Sequence, residues 1–206
     1  MICIGAVIAR SLVLVAVLAL AAGCNGKADD GPAATIPPSA PTTSAPADPY
    51  AVPAVIDEAY VNRVLAALDQ VEGDATRSIV AAGGLVPDAG AKLRSIYNDP
   101  QLEQQLNLLT KTDLGRLKMP PGNRKTAVRR LVQARPTCIL VDVTLDFSDL
   151  VNNPPVRPLD EVDFLTLRPT QPQADPLEVN PTPWSVSNEE VLKSGALPRP
   201  ENQCDA

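Results

Sequence analysis

The apolar residues of this chain change their repeat at one place, the turn-forming run Pro120-Pro121-Gly122-Asn123. Before it they recur at spacings of three and four, the mark of helices; beyond it they alternate, the mark of strands. Ile56, Tyr60, Val64, Ala67, Leu68 and Val71 make one helical stripe, with Asp57, Arg63 and Asp69 between them. Gly73 is expected to end that helix, and Ala75 to Ala82 reads as a second one stopped by Gly83-Gly84. Leu93, Ile96 and Tyr97 place an apolar face on a third helix that starts near Asp88. Asp99-Pro100 then reads as an N-cap with proline at the first helical position. It opens a fourth helix carrying Leu102, Leu106 and Leu109 and trailing to Leu117; such a leucine stripe reads as core.

Past the turn, Val128 and Val132 begin a strand. Thr137 to Phe147 is the clearest strand of the chain, with Ile139, Val141, Val143, Leu145 and Phe147 on one face and Asp142, Thr144 and Asp146 on the other. Alternation of this kind predicts that those acids face water. Asn152-Asn153-Pro154-Pro155 turns the chain, Val162 to Arg168 forms a further strand, and a proline-rich loop spans Gln171 to Pro183. Trp184-Ser185-Val186 reads as a short last strand, while Ser187 and Glu190 have capping-box spacing that predicts a short helix over Asn188 to Leu192. Helices first and antiparallel strands second is an α+β order.

The N-terminal stretch belongs to none of this. Arg10 and Ser11 precede the apolar run Leu12 to Ala22, which fits the core of a signal peptide and is shorter than the roughly 20 residues of a bilayer span. The run closes on Leu20-Ala21-Ala22-Gly23-Cys24, which resembles a bacterial lipobox. That resemblance implies cleavage before Cys24 and attachment of lipid, palmitate included, to its thiol. Counted from Met1, the same stretch reads alternatively as an uncleaved membrane span. Asn25 to Pro53 is rich in Pro, Ala and Thr and has almost no large apolar side chain, so it cannot offset its ordering entropy and is expected to be disordered. It would reach about 30 Å as a coil and up to about 90 Å as polyproline II. The expected organisation is therefore a signal helix over 1–23, lipidated Cys24 and its tether over 24–53, and one α+β domain over 54–206.

Of the 4 cysteines, Cys3 leaves with the leader and Cys24 carries lipid. Cys138 and Cys204 remain, and in an oxidising compartment they are expected to pair; the alternative is two reduced thiols. The formal net charge is −6, and losing Arg10 with the leader makes it more negative. Nucleic acid and anionic membrane surfaces reward clustered cations, so neither is expected as a partner. With 0 His, a Ser-His-Asp triad, a Cys-His dyad and a His-ligated zinc site are excluded. No cofactor or metal is expected: Ala81-Ala82-Gly83-Gly84 lacks the spacing of a phosphate-binding loop, and the acids lack that of an EF-hand. Lys125, Arg129, Arg130 and Arg135 make a basic patch on the opening strand, which reads as charge protecting a strand edge or as a contact for an acidic partner or phosphate.

The helix around Tyr60–Leu68, the Thr137–Phe147 strand and the later Trp184-Ser185-Val186 strand follow one another in an order that resembles NTF2-like (SnoaL-like) domains. The resemblance implies helices packed on a curved antiparallel sheet that forms a cone, in domains used by actinobacterial envelope lipoproteins and Mce-associated proteins. It implies two functions. The first is a lipid-anchored protein on the extracytoplasmic face of the cell membrane that binds or scaffolds another envelope component without catalysis. The second is a small-ligand binder or enzyme that uses an acid in the cone interior (Asp142, Asp146 or Asp163) beside Tyr60 or Tyr97.

Overall fold

The computed structural model describes residues 48–111, 114–156, 158–171 and 180–205. The leader, Cys24, the tether as far as Ala47 and most of the proline-rich loop lie outside the described residues. Among the described residues no helix is long and apolar enough to cross a membrane.

Helix α1 runs unbroken over Glu58–Ala82, where the sequence predicts two helices divided at Gly73. Asp57 starts it, its Oδ1 accepting from the Tyr60 N–H at 2.7 Å. Gly83 ends it at φ 71, a left-handed position, with its N–H turned back to Ile79 and Val80 carbonyls. Gly73 serves a different purpose. A Cβ there would lie 1.9 Å from Asn123 Oδ1. The Asn123 side chain lies against the helix backbone, accepting from Arg77 Nη1 at 2.8 Å and donating to Gln70 Oε1 at 2.7 Å. Glycine at this position permits that close approach, at a helix-propensity cost of about 1 kcal/mol.

Helix α2 spans Pro87–Ile96 and α3 spans Gln101–Lys111, followed by a 3-10 turn at Leu114–Arg116. Leu102, Leu106 and Leu109 of α3 are half-buried and pack on the core, as their spacing predicts. The strands are β1 (Lys125–Arg135), β2 (Cys138–Asp146), β3 (Glu161–Pro169) and β4 (Trp184–Lys193). They form an open sheet in the order β1-β2-β3-β4, every neighbouring pair antiparallel. Strand β4 continues through Asn188–Leu192, where capping-box spacing predicts a helix. Pairing with β3 overrides that local signal: Glu190 stands opposite Phe164, and its carboxylate accepts from Arg199 and Asn202 instead of capping a helix.

The three helices cover one face of the sheet. Val61, Val64, Leu65, Leu68, Leu93 and Ile96 meet Ile139, Val141, Val143, Leu165, Leu167 and Val186 there in one apolar core. Each such side chain contributes roughly 1.5–3 kcal/mol by its burial. Trp184 is fully buried at the end of that core, its Nε1 donating to Tyr60 Oη at 2.8 Å while Tyr60 donates to the Tyr50 carbonyl at 3.0 Å. The opposite face carries a smaller cluster of Cys138, Leu140, Val162, Phe164 and Cys204. Cys138 and Cys204 form a disulfide with Cα atoms 5.4 Å apart, which straps the C-terminal tail over that face. Thr166 Oγ1 donates to the Asn202 carbonyl at 2.6 Å and Arg168 Nη2 to the Gln203 carbonyl at 3.0 Å, holding the strap along its length.

Both sheet edges are partly closed by other elements. Along β1, the N–H groups of Thr126 and Val128 donate to Asp69 Oδ2 and Asn62 Oδ1 of α1, at 2.6 and 2.9 Å. Along β4, Val186 O accepts from the Asn98 N–H and the Glu189 N–H donates to Gln101 Oε1. Blocking main-chain groups in this way prevents edge-to-edge pairing.

Candidate functional site

Among the described residues, the densest arrangement of buried charge lies between α1 and the sheet. Asp69 and Glu72 sit three residues apart on α1 and so share a face. That face is turned inward, against the opening of β1. Arg124, just ahead of β1, reaches Asp69 Oδ1 through Nε at 3.3 Å, Glu72 Oε2 through Nη2 at 3.1 Å and Glu189 Oε2 of β4 through Nη1 at 3.3 Å. Each guanidinium nitrogen thus faces a carboxylate. Thr126 completes the shell of Asp69, donating from its N–H at 2.6 Å and its hydroxyl at 2.8 Å.

Burial is the largest influence on the acids. It raises the Asp69 and Glu72 carboxyls above their ordinary values, although Arg124 pulls both down. Burial also opposes the charge on Arg124, but Glu72, Tyr97, Glu189 and Asp69 outweigh it and hold the guanidinium proton more tightly than usual. The Tyr97 hydroxyl is pushed well up, first by burial and then by the neighbouring Glu72. A buried ion cluster of this kind need not add net stability, because desolvation offsets much of the attraction. It does fix geometry, tying α1 to both edge strands through one side chain.

Of the residues singled out from the sequence, Asp142, Asp163 and Tyr60 lie apart. Asp142 stands opposite Phe164 on the strap-covered side of the sheet, and Asp163 stands opposite Val143 on the helix-facing side. Tyr60 is bonded to Trp184, which pairs with Pro169, whereas Asp163 lies toward the other end of β3. A separation of six residues along a strand is about 20 Å. Tyr97 is buried beside Glu72, and Asp146 is exposed, with an Oδ1 that accepts from the Ser148 N–H at 2.8 Å. One expectation needs correction. Asp142 does not face water: it is 5 % exposed, covered by the arginines of β1. Asp69 is likewise 5 % exposed, because the polar side of α1 at that point faces the edge of a strand.

Arg124, Glu72 and Glu189 were not marked as a site by the sequence pattern. One signal was present: Glu72 lies four residues after Leu68 and four before Thr76, in register with buried Ile79. An acid in an apolar stripe calls for a partner. Separately, an open groove of about 400 Å³ runs beside α1, bordered by Tyr50, Arg63, Ala66, Gln70, Val71 and Pro181. None of Asp142, Asp146 and Asp163 lines it. No known protein family, curated protein or solved structure matches this chain.

Proposed function

We propose that the chain is a lipid-anchored protein of the bacterial cell envelope, whose extracytoplasmic domain binds or scaffolds another envelope component and catalyses no reaction. The anchor rests on Leu20-Ala21-Ala22-Gly23-Cys24 and on the proline-rich segment that follows it. The Cys138–Cys204 disulfide supports an oxidising compartment, where such bonds persist. Three helices ahead of an antiparallel sheet, with Trp184 on the last strand, support an NTF2-like arrangement at the level of element order. The observation that carries the non-catalytic reading is that Asp142, Asp163 and Tyr60 do not converge on one point. Asp142 and Asp163 lie on opposite faces of the sheet, and the hydroxyl of Tyr60 is engaged by Trp184 and Tyr50. An acid–tyrosine pair able to move a proton would need hydrogen-bond reach of one substrate atom. Cys24→Ala tests the anchor: the variant is expected in the soluble fraction of the extracytoplasmic compartment, and retention in the membrane fraction contradicts lipid anchoring.

A further inference from the structure

We propose that Arg129 and Arg130 form a docking site for the carboxylates of an acidic segment on a protein partner. Adjacent residues of a strand ordinarily point to opposite faces. Here the register of β1 on β2 shifts between Val128 and Arg130, leaving Arg129 as the extra residue of a β-bulge. Bulges re-aim side chains, and this one brings both guanidinium groups to one carboxylate. Arg129 Nε lies 3.7 Å from Asp142 Oδ1 and Arg130 Nε lies 3.8 Å from Oδ2. Those separations are ionic contacts beyond hydrogen-bond length. Asp142 Oδ1 is buried without a hydrogen bond, while the two arginine side chains are 49 % and 64 % exposed. Asp142 thus gathers the cations from beneath, and about half or more of each arginine side chain stays open to solvent.

The other cations of β1 are engaged at close range, Lys125 by Asp149 at 2.6 Å and Arg135 by Asp205 at 2.5 Å. Two arginines over one acid leave a local positive charge on a chain of net charge −6. Ala127 and Thr144, paired and exposed on the same face, leave the approach open. A guanidinium fork matches a carboxylate in two parallel hydrogen bonds. Exposed ion pairs contribute little one at a time, so an open site does not hold a lone small anion; the ligand must bring neighbouring contacts with it. An anionic bilayer meets the chain over a wide area and is opposed by its net charge of −6, whereas a short acidic segment meets only the local charge of the two arginines. A macromolecular partner with adjacent Asp or Glu residues satisfies each of these conditions.

The test uses the full mature chain in detergent and an oligoglutamate peptide as probe. Arginine Nε–Hε resonances are followed by NMR in the parent, and peptide affinity is measured for Arg129→Gln/Arg130→Gln and for Lys125→Gln/Arg135→Gln. The expected result is a peptide-induced shift at Arg129 and Arg130, and an affinity loss of roughly tenfold or more in the first variant only. Parent-like affinity of Arg129→Gln/Arg130→Gln overturns the proposal, as do shifts centred on Arg135 or an affinity loss confined to Lys125→Gln/Arg135→Gln. Inorganic phosphate or phosphatidylglycerol vesicles displacing the peptide at equal charge concentration would show a general anion site, which also overturns it. The parent's own spectra decide the matter if the variants fold poorly. The inference rests on reading the domain as a binding module. Failure here removes this site and leaves the anchor intact, whereas failure of the Cys24→Ala fractionation removes the anchor and leaves the site intact.

Discussion

Replacing Arg124 with Met removes the one cation among three carboxylates at 3.1 to 3.3 Å while keeping side-chain volume nearly constant. The arginine side chain is 7 % exposed and those of Asp69, Glu72 and Glu189 are 6 %, 18 % and 17 % exposed, so the acids left behind have little water to turn to. Breaking a buried pair on one side costs about 3–5 kcal/mol. For a domain of this size that corresponds to a melting temperature lower by about 6–20 °C. The loss should depend on pH in a definite direction. Burial already places the Asp69 and Glu72 carboxyls above their ordinary values in the folded chain, and removing Arg124 takes away the largest influence that lowers them. An acid whose folded value exceeds its unfolded value favours folding while protonated, and that contribution is lost as pH rises through the folded value. The deficit of the variant should therefore be greatest above the raised folded values of these acids and shrink as pH falls through them to below the ordinary carboxylate range. Thermal unfolding followed by circular dichroism across that range reads the effect directly. A deficit that stays constant with pH, or grows on acidification, would refute the assignment of these acids as desolvated partners of Arg124.

Two further outcomes are expected. The disulfide spans a sequence separation of 66, for which chain entropy gives about 4 kcal/mol; Cys138→Ala with Cys204→Ala should lower the melting temperature by about 8–16 °C. An unchanged melting temperature, together with two titratable thiols in the parent, contradicts it. Tyr60→Phe removes the acceptor of Trp184 Nε1 inside the core and should cost about 1–3 kcal/mol. The chain has 1 Trp, so its fluorescence maximum reports the same change; a parent-like spectrum and stability would mean that the indole N–H has another acceptor.

The division into helices and sheet was legible because Pro120-Pro121-Gly122-Asn123 separates two periods that no single element can satisfy. The inward face of β2 was legible for the same reason: Ile139, Val141 and Val143 alternate, and all three join the core. What failed was whatever depends on a neighbour distant in sequence. Gly73 looks like a helix end until Asn123 is laid against it. Ser187 and Glu190 look like a capping box until β3 takes the backbone and Arg199 takes the carboxylate. Alternation predicts two environments for a strand, core and water, and Asp142 occupies a third, beneath the arginines of a bulge. The Arg124 cluster is harder still, since its members come from α1, the lead into β1 and β4, and only Glu72 betrays itself by standing in an apolar stripe.

Intact mass spectrometry of the protein extracted from membranes addresses the central claim most directly. The account predicts a chain that begins at Cys24, heavier by a diacylglyceryl group and an acyl chain, and lighter by two hydrogens for the bond between Cys138 and Cys204. A mass that begins at Met1, without lipid, would contradict the anchor and with it the reading of this domain as a tethered binding module at the cell surface.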